Sequence, residues 1–215
     1  MIPLQRLLPI SPGDHRVERE LVFVSEGLRR AGVTQLLVRE KHLDRPALVR
    51  LLRALAPGLR LIVHAGCADG EALARGGGCG LHLPGSADVG AVRARFRGTL
   101  GYSAHSLEDA VYARDAGADY VLLAPVWRPG SKPGDRRAEL GIAAVARAQE
   151  AVGIPVFALG GLTPARAGEC VAAGIYGAAG IGGVFCGETP EVVEAAARSF
   201  LTAQAAARPA QGRLV

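Results

Sequence analysis

Eight short apolar runs, each ended by a turn and followed by a helix-forming or glycine-rich segment, constrain this chain more than any other feature. They are Leu7 to Ile10, Thr34 to Arg39, Leu59 to His64, Gly80 to Leu83, Thr99 to Ser103, Asp119 to Ala124, Val156 to Leu159 and Gly177 to Ile181. Runs of this length are strands, and the segments between them carry helix signals. Ser106 precedes Leu107 to Ala116, Asp44 precedes Arg45-Pro46, and Thr163-Pro164 opens a helix that ends near Gly174. Further helices are predicted over Val17 to Ala31, Asp69 to Arg75, Ala87 to Phe96, Leu140 to Ala151 and Glu191 to Ala206. Strands alternating with helices at this spacing run parallel through right-handed crossovers. Eight units favour closure into a (β/α)8 TIM barrel. An open doubly wound sheet would call for a GxGxxG turn after the first strand, and none is there. One α/β domain over residues 1–207 is expected, with 208–215 as a disordered polar tail.

Composition narrows the partners. With 29 glycines and 5% aromatics, the chain suits small-residue packing of helices on a parallel sheet. The net charge of +5 comes from arginines scattered over predicted helix faces, such as Arg29, Arg30, Arg50, Arg53, Arg93 and Arg95. A nucleic-acid reader would concentrate them, so no nucleic-acid partner is expected, while anionic small molecules remain compatible. Cys67, Cys79, Cys170 and Cys186 form no C-x-x-C pair and read as small residues of a reducing compartment. Neither a leader h-region nor an apolar run of membrane-spanning length occurs, so a cytoplasmic protein with no membrane partner is expected.

The stretch from Pro155 to Phe185 holds the first functional signal. Two successive strands stop at glycine pairs, Gly160-Gly161 and Gly182-Gly183, where backbone N–H groups can approach an anion without a Cβ in the way. In a β/α barrel the last two such turns commonly form a phosphate site. The other strand ends supply Arg39, Lys41, His64, His82, Ser103 and His105. The long loop after strand six adds Arg128, Ser131 and Lys132, and Trp127 there is either a lid anchor or a substrate cover. Glu40 and Asp88 are the only acids near the mouth before that loop. Such a list suits a phosphorylated substrate and proton transfer better than a magnesium-held diphosphate, because Mg²⁺ wants carboxylate oxygens. Each residue also has a plainer reading. Arg39 to Lys41 is then a solvated charge run, and His64 is a surface loop histidine. His105 merely precedes a cap, and His82, between two leucines, is a satisfied interior histidine.

Taken together, VREK (Val38 to Lys41), GLHLPG (Gly80 to Gly85), SAHSLEDA (Ser103 to Ala110) and GADYVLLAPVW (Gly117 to Trp127) resemble the thiamine-phosphate synthase / TenI family. Ser131-Lys132, PVFALGGLTP (Pro155 to Pro164) and the GIGGVF ending extend the likeness from Leu7 to Phe185. The resemblance implies a TIM barrel of thiamine biosynthesis acting on a thiazole phosphate. It places the phosphate at Gly160, Gly161, Ile181 and Gly182, and it admits a homodimer. Departures from the family pattern decide the branch. The synthase holds Mg²⁺ through two aspartates; this chain has Ala65 after His64 for the first, and Ala87 for the second, with Asp88 one step off register. Leu37 replaces the synthase's glutamine. The LPG turn and the HSLEDA helix start look more like TenI, whose members include thiazole tautomerases. Tautomerase-type relatives, however, carry a histidine where Pro125 stands.

The reading that follows is a TenI-type protein that aromatises carboxythiazole phosphate by proton transfer, with no cofactor. One alternative is the synthase, joining hydroxymethylpyrimidine diphosphate to thiazole phosphate with magnesium. A second is a non-catalytic thiazole-phosphate-binding regulator. In the favoured reading Arg39, Lys41 or Lys132 meets negative charge, Ser103 and Ser131 help bind, and His64, His105 or Lys132 moves the proton. The cations beside His64 should lower its pKa and leave a neutral base at pH 7.

Overall fold

The eight expected strands all form and close on one another. The computed structural model describes residues 4–13, 18–128 and 137–207. Its strands are β1 (Leu7–Pro9), β2 (Gln35–Val38), β3 (Arg60–His64), β4 (Gly80–Leu83), β5 (Leu100–Ala104), β6 (Tyr120–Leu123), β7 (Val156–Leu159) and β8 (Gly177–Gly180). They form one parallel sheet in the order β1-β8-β7-β6-β5-β4-β3-β2. The remaining gap, between β1 and β2, is bridged at Ile10↔Leu37, where Ser11 N–H donates to Leu37 O at 2.9 Å. Below that bridge side-chain amides take over. Gln35 Nε2 donates to the carbonyls of Gln5 and Leu7 at 2.8 and 3.1 Å, and Gln5 Oε1 accepts from Thr34 N–H at 3.1 Å. The molecule is a single (β/α)8 barrel.

Eight helices surround it: α1 (Glu18–Arg30), α2 (Arg45–Leu55), α3 (Gly70–Gly77), α4 (Val89–Arg93), α5 (Leu107–Asp115), α6 (Gly141–Val152), α7 (Pro164–Ala172) and α8 (Pro190–Ala206). The starts of α2, α5 and α7 are fixed by the capping residues read from the sequence. Asp44, Ser106 and Thr163 accept from the backbone N–H of Ala47, Asp109 and Arg166, each cap contributing about 1 kcal/mol. Two helices differ from expectation. α3 runs on through Gly76 and Gly77 before Gly78 ends it in a left-handed conformation. α4 starts two residues later than expected because Asp88 caps it by accepting from Ala91 N–H at 2.9 Å, and it ends at Arg93.

Strand alternation divides the core in two. Outward residues such as Leu61, Val63, Leu81 and Val121 pack beneath the helices. Inward residues Leu8, Ile10, Leu37, Ile62, Tyr120, Leu122, Phe157 and Ala179 fill the barrel. Above that apolar filling, the C-terminal strand ends converge on the mouth, which is where barrels of this kind carry their chemistry. Among the described residues no helix is long and apolar enough to cross a membrane.

Candidate active site

One half of the mouth is built from side chains. β2 ends at Val38, so Arg39, Glu40 and Lys41 follow directly at its rim. Ser11 Oγ accepts from Arg39 N–H at 2.7 Å and ties the β1 and β2 ends together. Glu40, expected as a mouth acid, is instead buried, and its Oε1 accepts from Gly13 N–H at 3.0 Å. The charge run therefore splits into a structural carboxylate and two cations. A methyl group placed on Gly66 would stand 3.0 Å from Lys41 Cε and 3.1 Å from His64 Nδ1, so the lysine stem and the imidazole share one corner.

His64 is 6% exposed at the end of β3. Its Nδ1 accepts from Gly66 N–H at 2.8 Å, which places the proton of the neutral ring on Nε2. Burial first, then the charges of Lys41 and Arg39, hold its pKa down at about 4. The expected neutral imidazole is present, with burial rather than the cations as the leading cause. Its basic lone pair, however, is already engaged, and the remaining ring atom is a hydrogen-bond donor.

His82 lies across the register from His64, with ring centroids 5.8 Å apart. It is 1% exposed and satisfied at both nitrogens, as its interior reading expects. Nδ1 is 3.0 Å from Tyr120 Oη and Nε2 is 2.9 Å from Ser103 Oγ. Tyr120 is a residue that sequence reasoning missed; the only signal for it was the inward parity it shares with Leu122 on β6. Ser103 is half-buried and stands at the rim. His105 lies further out and exposed, its Nδ1–H donating to Ala124 O at 2.7 Å while Arg137 Nη1 stands 3.0 Å from Nε2. Among the imidazoles near the mouth, His64 and His82 sit together and His105 sits apart.

The other half is backbone. Gly160 and Gly161 adopt φ of 106° and 60°, and a Cβ on Gly161 would lie 2.8 Å from Trp127 Cβ. This pair is required to pack the β7 end against the β6 loop. Val126 N–H donates to Leu159 O at 2.9 Å, Trp127 is half-buried, and the Arg166 guanidinium lies 4.9 Å from the Trp127 ring centre. That arrangement makes Trp127 an anchor of the β6 loop. After β8, Ile181 O accepts from Val184 and Phe185 N–H at 3.1 and 2.9 Å, forming one helical turn with Gly182 and Gly183 exposed at its start. The first amides of such a turn have no acceptor within it and point outward. A Cβ on Gly182 would meet nothing within 4 Å. Ser131 and Lys132 lie outside the described residues.

The fit to magnesium can be tested on the donor set. Ala65 and Ala87 offer no side-chain oxygen, and the Asp88 carboxylate is engaged by Ala91 N–H. No group of three or more metal-ligating side chains gathers among the described residues. The residues present do not fit the ion site that the synthase resemblance implies.

A parallel eight-stranded barrel with a cationic, imidazole-lined rim facing two glycine turns defines the class: a (β/α)8 protein with its site at the C-terminal strand ends. The chain belongs to the thiamine monophosphate synthase family (TMP-TENI), whose model matches residues 7–184. It is 35% identical over 199 residues to thiamine-phosphate synthase of Thioalkalivibrio sulfidiphilus, covering 87% of this chain and 91% of that one. It is also 35% identical over 161 residues to the putative thiamine-phosphate synthase 2 of Aquifex aeolicus, covering 73% and 85%. Thiamine phosphate pyrophosphorylase from Pyrococcus furiosus superposes with a TM-score of 0.73 at 23% identity, covering 93% and 95%, which shows the fold.

Proposed function

We propose that the chain is an enzyme of thiamine biosynthesis that takes a phosphorylated thiazole into the barrel mouth. The observation that carries this reading is the opposition of the two halves: outward amides at Gly182 and Gly183 on one side, Arg39, Lys41, His64 and Ser103 on the other. A phosphate held on the backbone half would present the heterocycle to the side-chain half. A cytoplasmic location goes with this reading.

Relatives named thiamine-phosphate synthase support that coupling reaction over the tautomerase expectation. In the synthase reading, Arg39 and Lys41 would face the diphosphate of the second substrate, and Ser103 would contact the pyrimidine. His64 would act as a neutral electrophile, donating from Nε2 to developing negative charge while Gly66 holds its other face. Magnesium would neutralise the leaving diphosphate in the family's reaction, but Ala65 and Ala87 do not supply its ligands, so no step is derived through it.

Those two alanines favour one further reading, proton transfer on carboxythiazole phosphate without a diphosphate to expel. The experiment that separates the two is a pair of incubations. One supplies hydroxymethylpyrimidine diphosphate and thiazole phosphate with and without Mg²⁺; the other supplies the non-aromatic carboxythiazole phosphate. Thiamine phosphate and pyrophosphate from the first establish the synthase. Aromatic product from the second alone establishes the tautomerase. Neither product, with thiazole phosphate unbound in calorimetry, overturns the proposal.

A further inference from the structure

The row of the barrel that runs from His64 through His82 and Gly101 to Tyr120 contains a device that the reaction itself does not explain. Register places these four residues side by side on β3, β4, β5 and β6. Tyr120 and His82 are not adjacent; Gly101 lies between them. A Cβ on Gly101 would stand 2.1 Å from Tyr120 Cζ, so the tyrosine ring occupies the space above the glycine. Only in that way does its hydroxyl come to 3.0 Å from His82 Nδ1. The other imidazole nitrogen then meets Ser103 Oγ at 2.9 Å, at the rim.

We propose that Tyr120 and His82 are a buried positioning pair that fixes the Ser103 hydroxyl as a hydrogen-bond donor toward the mouth. The direction of the chain follows from its charged surroundings. Two polarities satisfy the distances: the phenol donates to Nδ1 and Nε2–H donates to serine, or every proton is reversed. The Arg60 guanidinium interacts electrostatically with the Tyr120 hydroxyl from the floor of the barrel. Arg60 acts on Tyr120 more strongly than Asp119 does, and a phenol is a better hydrogen-bond donor than acceptor, so its proton is turned toward His82. Asp119 also acts on Tyr120, and burial raises the tyrosine's pKa beyond its ordinary value, so the phenol keeps its proton. Burial and the neighbouring His64 keep His82 neutral. A neutral imidazole that accepts at Nδ1 carries its one proton on Nε2. Serine Oγ therefore accepts from His82, and its own proton is left for the mouth. Ser103 so held is a donor to an acceptor atom on a bound ligand, not a nucleophile, because the imidazole that touches it has no lone pair to take its proton.

The orientation of the hydroxyl stands on these distances and on the charges around Tyr120; its use on a thiazole or pyrimidine ring rests on the proposed function. The test reads both separately. In the ligand-free full chain labelled with ¹⁵N-histidine, His82 should show a protonated Nε2 and an unprotonated Nδ1, unchanged from about pH 5 to about pH 9. Tyr120→Phe, which keeps the ring and removes the donor, should give His82 a mixture of tautomers. In whichever incubation the unaltered chain is active, Tyr120→Phe should lower kcat about tenfold with KM for thiazole phosphate little changed. Combined with Ser103→Ala it should cause no further loss, because both act on one hydroxyl. His82→Gln with Ser103→Ala provides the same cycle if Tyr120→Phe fails to fold. A proton on His82 Nδ1, an unchanged tautomer in Tyr120→Phe, or additive losses in the double variants would each overturn the pair. If the unaltered chain turns over neither substrate set, the function reading falls alone and the tautomer measurement still decides this one.

Discussion

The two halves of the mouth are made of different materials. Around β7 and β8 the site is backbone: glycines with positive φ or open flanks, and amides at the start of a turn. Around β2 to β5 it is side chains: His64 is held by Gly66 and Ser103 by His82, while Ser11 fixes the backbone from which Arg39 projects. A backbone half recognises any group with the right charge and leaves substitution little room. A side-chain half can change its chemistry by single replacements, and Ala65 and Ala87 stand where the family resemblance implies aspartates. In the proposed function the phosphate rests on the backbone half and the reaction is set on the side-chain rim.

The largest expected effect breaks the backbone half. Gly182→Asp places a carboxylate in open space beside the proposed anion, without steric cost. Thiazole-phosphate affinity should fall by about 100-fold or more in calorimetry, with the melting temperature nearly unchanged. Normal binding would put the phosphate elsewhere.

Next comes the side-chain half. His64→Phe keeps an aromatic ring in the row and removes the Nε2 donor. Turnover should drop by about 100-fold while thiazole-phosphate affinity stays within a few-fold. A parallel loss of affinity would erase the division of labour between the halves.

Gly161→Ala asks whether the glycine pair is also structural. With φ at 60° and a new methyl 2.8 Å from Trp127 Cβ, the variant should lose roughly 1–3 kcal/mol in denaturant unfolding. No loss would mean that the β6 loop can yield without cost.

The most gradual effect is on pH. The folded pKa of His64, about 4, lies below its ordinary value of about 6.5. Below about pH 6.5 the unfolded chain binds a proton that the folded chain refuses, so stability is lost as pH falls toward 4. The slope from this residue is at most about 1.4 kcal/mol per pH unit. Melting temperatures between those limits should fall with pH, and less steeply in His64→Phe.

What the sequence revealed follows the same division. Glycine pairs, caps and apolar runs are local signals, so the barrel, the β4 and β7 bounds and the glycine turns after β7 and β8 were legible. The side-chain half depends on register, which spacing along the chain does not contain. Nothing in DYVLL says that Tyr120 will reach past Gly101 to His82, and nothing in VREK says that Glu40 will turn back to Gly13. Asp88 shows the same limit. The sequence placed it among the acids near the mouth, yet its carboxylate accepts from the Ala91 amide three residues on. Local hydrogen bonding outcompeted the longer reach.

The Gln5–Gln35 contacts between β1 and β2 carry a last consequence, for self-association. A closed barrel escapes edge-to-edge aggregation because no strand is left unpaired. This one reaches that condition over half of a seam only through glutamine amides, which a point mutation can remove. Gln35→Leu would leave β1 and β2 facing each other with unmet carbonyls, the template that a neighbouring chain can pair with. Its first symptom should be light scattering on warming, before any loss of the rim's chemistry.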